Sequence, residues 1–310
     1  MQRLTLAILV AFIPWHALSA APRVVVSIAP VHSLVQAVLG KVGEPVLLLR
    51  SNQSPHSGSL PPSAVRAIVS ADLVVWVGPS LEGVLVKLLG QLPSDRIVTL
   101  IETRDMKLLN NRGVMIRHES AHEHRHDHKH EATDRRTSID PHIWLSTTNA
   151  IAIVEVVARW LSEHDGANAS VYRKNKAVVV EKIKRLREEL AMELESVKGL
   201  NFFTFHDAYQ YFEDDFEIRS SASVSVDPEN LPGARHLDDL LNYLKTEDVR
   251  CIFTEPQFDS DAVDVLSENS HVGVGTLDPL GVELIPSKEM WFELMRNLVN
   301  NFTACLRNTA

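Results

Sequence analysis

The sequence predicts an α/β protein of two lobes, each with a mainly parallel sheet, joined by one long rigid helix. Three observations carry this. Short apolar, β-branched runs alternate with helical patterns before residue 101, and the same rhythm returns after residue 200. Between the two blocks lies a charged stretch with no internal glycine or proline. Buried strands alternating with helices indicate βα units and a parallel sheet.

In the first block, Arg23–Ile28 reads as a strand and Val31 to about Val42 as a helix. Pro45–Arg50 is the next strand, and Pro62–Ser70 a helix with proline in its first turn. Leu73–Gly78 is a strand, Leu81–Leu92 a helix and Arg96–Leu100 a strand. Thr147–His164 then shows apolar residues at Ile151, Ile153, Val154, Val157 and Leu161, as one face of a helix requires. Ala169–Val197 reads as a single long helix, an interdomain strut or an amphipathic surface helix. In the second block the strands are Asn201–Phe205, Ile218–Val224, Arg250–Thr254 and Gly273–Leu277. Helices fall at Leu237–Thr246, Asp261–Glu268 and Lys288–Leu306.

The chain opens on Arg3, an apolar run from Leu4 to Ile13, and small residues at Ala17 and Ser19 to Ala21. This is the layout of a cleavable secretory signal. Pro14 and His16 interrupt it well short of the ~20 apolar residues a membrane helix needs. Residues 1–21 are therefore expected to be a leader, and the mature chain a soluble exported protein of about 290 residues. The expected organisation is a first lobe over 22–165, a linker helix over 166–198 and a second lobe over 199–310. A net charge of −9 argues against nucleic acid as a partner. Cys251 and Cys305 are the only cysteines. In an exported chain an even count reads as a disulfide, against the alternative of two buried thiols.

Residues 117–137 form a polar stretch with histidine at 118, 122, 124, 126, 128 and 130. Such a segment cannot bury a core and reads as a surface loop that collects metal, against the alternative of a tolerated polar insertion whose histidines are incidental. His118, His122, His124, His126, His128 and His130 are thus candidate secondary metal ligands. Outside it, His56, His142 and His206 each stand at a predicted edge between a loop and a regular element, as does Asp278. Three neutral imidazoles and a carboxylate satisfy a tetrahedral zinc site. The scattered spacing does not by itself separate ligands from hydrogen-bonded loop histidines. His32, His164, His236 and His271 lack such a context and read as structural, and Trp76 and Trp144 as core.

Several motifs, in order along the mature chain, carry a resemblance. They are Pro55-His56 ahead of Leu60-Pro61-Pro62-Ser63, Ala71–Gly78 (ADLVVWVG) and Asp140–Leu145 (DPHIWL). They continue with Phe205–Tyr209 (FHDAY), Phe253–Phe258 (FTEPQF) and Leu277–Gly281 (LDPLG). The chain resembles the solute-binding proteins of zinc and manganese ABC transporters, above all the zinc-uptake, ZnuA-type members. The resemblance implies two lobes with the metal clamped between them, His56, His142 and His206 on the family's histidine ligands, and a disulfide between Cys251 and Cys305. It implies Zn²⁺ as the ligand, a periplasmic location, delivery to a membrane permease and action as a monomer. Manganese relatives tend to carry a carboxylate where His206 stands, and oxygen suits Mn²⁺ better than nitrogen does. Some zinc members place a glutamate immediately before the first histidine, and Pro55 excludes it here. Asp278 or a water is then expected as fourth ligand, with Glu255 a supporting carboxylate and Asp207 orienting His206 or starting the next helix. The other readings are a manganese receptor, a periplasmic zinc buffer or adhesin without a transporter, and a zinc hydrolase. The HExxH pattern of one such hydrolase class occurs only inside the polar 117–137 stretch, at His118–His122 and His122–His126, and none of His56, His142 and His206 belongs to it.

Overall fold

The computed structural model describes residues 21–50, 52–57, 59–112, 116, 139–225, 228–229 and 232–308. The leader and the histidines between 118 and 130 lie outside the described residues.

Each lobe is built on one four-stranded, all-parallel sheet, and the two sheets share one strand order. In the first lobe the strands are β1 (Val24–Val26), β2 (Val46–Leu47), β3 (Leu73–Trp76) and β4 (Ile97–Thr99), ordered β2-β1-β3-β4. In the second they are β5 (Asn201–Thr204), β6 (Ala222–Ser223), β7 (Val249–Thr254) and β8 (Gly273–Thr276), ordered β6-β5-β7-β8. β1 and β3 are buried along their whole length, which is why they read as unbroken apolar runs without alternation.

The helices are α1 (Ala29–Leu39), α2 (Pro62–Ser70), α3 (Val86–Leu89), α4 (Thr147–His164), α5 (Ala169–Leu194), α6 (Gln210–Phe216), α7 (Ala234–Thr246), α8 (Asp261–Glu268) and α9 (Met290–Asn308). α1 ends at Gly40, whose φ of +62° suits glycine. A Cβ there would stand 2.5 Å from the Asn175 side chain of α5, which donates to the Val38 carbonyl at 2.9 Å. Ser146 caps α4 by accepting from Asn149 N at 3.1 Å. His32, in the first turn of α1, is buried and bonds the Pro45 carbonyl at 2.8 Å through Nε2.

The long helix α5 buries Tyr172, Val179, Ile183, Leu186, Leu190 and Leu194, a stripe at helical spacing along one face. It packs on α1 and α4 of the first lobe and on α9, the last helix of the chain. One apolar cluster therefore runs from β1 through α5 to α9, and a second, smaller cluster around Phe203, Ile252 and Leu266 fills the outer side of the second sheet. Trp291 at the start of α9 reaches the first lobe twice. Its backbone N–H donates to Ser33 Oγ at 2.9 Å and its indole to the Trp144 carbonyl at 2.8 Å. Cys251 on β7 and Cys305 on α9 form a disulfide. Gly275 on β8 makes room for it, since a Cβ there would stand 2.7 Å from the Phe253 ring and 3.2 Å from Cys305 Cβ.

Four elements differ from the sequence expectation, the first being Pro45–Arg50, which shortens to the two residues of β2. Leu81–Leu92 is not one helix but a 3-10 turn at Gly83–Leu85 followed by the single turn of α3. The reason is Glu82, whose buried carboxylate turns inward and accepts from Val77 N at 3.1 Å and Gly78 N at 2.9 Å. Ile218–Val224 shrinks to the two residues of β6, because Ser220 is held by Glu213 through its hydroxyl at 2.6 Å. The helix α6 was not expected, and it lines the junction of the lobes.

That junction is polar on the α6 side. Arg112 pairs with Asp207 and Glu213 across it. Tyr211 donates to the Asp140 carbonyl at 2.7 Å and accepts from Leu109 N at 3.0 Å. Asp215 accepts from Thr147 N at 2.6 Å and from the Ser146 and Thr147 hydroxyls, placing a carboxylate at the start of α4, where the helix dipole favours it.

Candidate metal centre

His56 follows β2, His206 follows β5 and Glu255 follows β7, so the carboxyl ends of both sheets face one cleft, the ligand-binding edge of open α/β sheets. His142 comes from the turn that leads into α4.

Asp140-Pro141-His142 is a local device. Asp140 Oδ1 accepts the His142 backbone N–H at 3.0 Å and its ring Nδ1 at 2.8 Å. Gln210 Nε2 donates to Asp140 Oδ2 at 3.2 Å. Both carboxyl oxygens thus accept N–H groups, which makes His142 Nδ1 the protonated nitrogen and leaves Nε2 with a lone pair. His206 is held the same way from the other lobe, its Nδ1 facing Glu255 Oε1 at 2.7 Å. Asp140, His142, His206 and Glu255 are all buried, none more than 5% exposed.

The lone-pair nitrogens then converge. His142 Nε2 lies 3.2 Å from His206 Nε2 and 3.3 Å from His56 Nε2. One ligand atom from each of the three rings lies within 4.8 Å of the others. Two bare Nε2 lone pairs 3.2 Å apart repel, so either a proton, as on protonated His206, or a metal ion stands between them. A zinc ion with Zn–N bonds of ~2.0–2.1 Å sets tetrahedral N···N edges of about 3.3–3.4 Å, close to the separations seen here. The site fits a four-coordinate, nitrogen-rich metal.

Electrostatics divide the rings. Burial, with the neighbouring His206, holds His142 well below the ordinary imidazole pKa. Burial opposes charge on His206 too, but the Glu255 carboxylate outweighs it and carries His206 above the ordinary value. Burial pushes the Asp140 carboxyl well above the usual carboxylate range. Near neutral pH His142 is uncharged and ready to bind metal, while His206 gives up its proton at a higher pH.

Asp278, expected as a ligand, is not brought into this cluster. Its Oδ1 accepts from Leu280 N at 3.0 Å, Gly281 N at 2.8 Å and Gln257 Nε2 at 2.8 Å, and its Oδ2 from Val282 N at 2.5 Å. The carboxylate is consumed in shaping the turn after β8. Asp207 neither orients His206 nor caps a helix, since it pairs with Arg112. Sequence reasoning assigned no role to Asp140. Its signal was the Asp-Pro-His spacing, which lets a carboxylate reach the N–H two residues on. His236, read as structural, bonds the Ser223 carbonyl at 3.0 Å.

Comparisons with known proteins identify the family. The profile of the ZnuA family, described as zinc-uptake complex component A, periplasmic, matches residues 24–305. The chain belongs to this family. It is 36% identical over 304 residues to the high-affinity zinc uptake system protein ZnuA of Brucella abortus, covering 91% of each chain. It is 31% identical over 301 residues to the protein of that name from Yersinia pestis, covering 95% of this chain and 93% of that one. A crystal structure of ZnuA superposes with a TM-score of 0.75 at 22% identity, over 92% of this chain and 99% of the other, which establishes the shared two-lobe fold.

Proposed function

We propose that this chain is a periplasmic zinc receptor that captures Zn²⁺ on His56, His142 and His206 and delivers it to the membrane permease of an ABC importer. The observation that carries the reading is the convergence of three imidazoles from two lobes, with His142 Nε2 3.2 Å from His206 Nε2 and 3.3 Å from His56 Nε2, close to the edges of a tetrahedral zinc site. Three nitrogens favour Zn²⁺ over Mn²⁺, which prefers oxygen. Membership of the zinc-uptake family and the names of its relatives support the same cargo. Among the described residues no helix is long and apolar enough to cross a membrane.

In this reading residues 1–21 direct export, 22–165 and 199–310 are the lobes, and 166–198 is the strut between them. The protein acts as a carrier, not an enzyme, and as a monomer. Zinc held by ligands of both lobes couples occupancy to lobe orientation, which a permease can read. The continuous core along α5 and the polar junction at α6 keep that movement small. The histidines from His118 to His130 collect zinc near the main site without forming it.

Zinc titration of residues 22–310, beside His206→Ala and a deletion of 118–130, tests this. One tight equivalent should survive the deletion and be lost with His206. Binding that vanished with the deletion and ignored His206 would make the protein a histidine-rich zinc buffer.

A further inference from the structure

Three imidazoles leave one position of a tetrahedral zinc ion to fill, and the carboxylate expected there, Asp278, is committed elsewhere. The cavity around the three Nε2 atoms is walled by Pro55, Trp144, Phe258, Pro279 and Leu280, all apolar. The open space among them is about 10 Å³, room for about one water-sized sphere. Two further polar side chains line it: Glu255, whose Oε1 is engaged by His206 Nδ1, and Gln257.

The orientation of Gln257 is fixed by its neighbour. Its Nε2 donates to Asp278 Oδ1 at 2.8 Å, and that carboxylate is itself anchored by the N–H groups of Leu280, Gly281 and Val282. A carboxylate accepts and does not donate, so the amide NH₂ must face Asp278 and the carbonyl Oε1 must face away. Gln257 Oε1 is buried and receives no hydrogen bond from any described residue. Buried acceptors are almost always satisfied, so an oriented one at a metal cavity needs a donor. A neutral amide oxygen is a poor zinc ligand beside imidazole and carboxylate, whereas a zinc-bound water is a strong donor.

We propose that Gln257 is the positioning residue for the fourth side of the cargo: its Oε1 accepts a hydrogen bond from the single water that completes the zinc tetrahedron. Toward the ion, Asp278 acts through Gln257, which it holds. The inference rests on the zinc-receptor reading above and adds a source of selectivity to it. A cavity with room for one water disfavours ions that keep several waters in a six-coordinate shell, such as Mg²⁺.

The test uses the mature chain with Gln257→Met, close in size but without an acceptor, and Gln257→Ala, which leaves room for solvent to accept instead. Zinc affinity is read by chelator competition, coordination by the visible spectrum of the Co²⁺-loaded protein, and folding by the melting temperature without metal. Gln257→Met should weaken zinc binding 10–100-fold, the usual effect of losing a partner of a metal's ligand. It should also alter the Co²⁺ spectrum at an unchanged metal-free melting temperature, and Gln257→Ala should lose less. The proposal is overturned if Gln257→Met binds zinc within twofold of wild type with an unchanged Co²⁺ spectrum. It is equally overturned if both variants lose affinity alike together with a lowered melting temperature. Absence of a tight site in the wild-type protein would instead overturn the receptor reading itself.

Discussion

His142 and His206 stand in one kind of surrounding and His56 in another. The first two are buried, come from opposite lobes, and have a carboxylate on Nδ1 that fixes tautomer and ring plane. His56 is half-buried and rides on the chain between β2 and α2, its backbone N–H accepted by Ser54 Oγ at 3.3 Å. The difference teaches how a carrier can bind tightly and still release. In the proposed site two imidazoles are preorganised across the lobe junction, and the third stands on a segment without regular structure. The proposed site should release His56 first.

That contrast can be broken in several ways. The largest effect should come from His142→Ala and His206→Ala, each lowering zinc affinity at least a thousandfold in chelator competition, with His56→Ala milder and acting mainly on the dissociation rate. An equal loss from all three would erase the distinction. Next in size are the braces. Asp140→Ala and Glu255→Ala should each cost about 10–100-fold in affinity, while Ser54→Ala, beside His56, should cost less than threefold by the same titration.

A smaller effect concerns pH. Glu255 raises the pKa of His206 in the metal-free protein, so a proton competes with zinc for Nε2 as pH falls through that raised value. His142, lowered by burial, adds no competition until the pH is lower still. Zinc affinity should be flat at high pH and fall by about a decade per unit below the His206 transition. Glu255→Gln removes the charge, lowers the pKa of His206, and should move the onset of that fall to lower pH. An onset unchanged in Glu255→Gln would contradict the assignment. The smallest effect on zinc should follow removal of the disulfide, which lies between β7 and α9, away from the ligands. Cys251→Ala with Cys305→Ala should lower stability by about 4 kcal/mol in urea unfolding and leave zinc affinity within twofold.

Much of the fold is legible in the sequence because its central strands β1 and β3 are buried on both faces and several helices carry plain boundaries. The limits of α2, α4 and α8 agree with the expected ones, each set by a proline, a capping serine or a strong amphipathic pattern. What misleads is long-range. Leu81–Leu92 has helical periodicity, but Glu82 binds the backbone at the end of β3 and breaks the run. The sequence QYFEDDF of α6 combines aromatic residues with three acids, and its helix forms on partners supplied by the other lobe. The candidate site shows the same division. Histidines at the ends of elements are visible in the chain, as is the carboxylate two residues before His142. Whether Asp278 faces the metal or its own turn depends on the backbone of residues 280–282, which no spacing encodes.

The central claim is that three imidazoles, and no more, hold the ion between the lobes. Zinc K-edge X-ray absorption on the mature protein loaded with one equivalent addresses it directly. The account predicts a four-coordinate shell at about 2.0–2.1 Å, with ring scattering from three imidazoles and one oxygen. Ring scattering unchanged in His142→Ala, or a shell made mostly of oxygen, would contradict it.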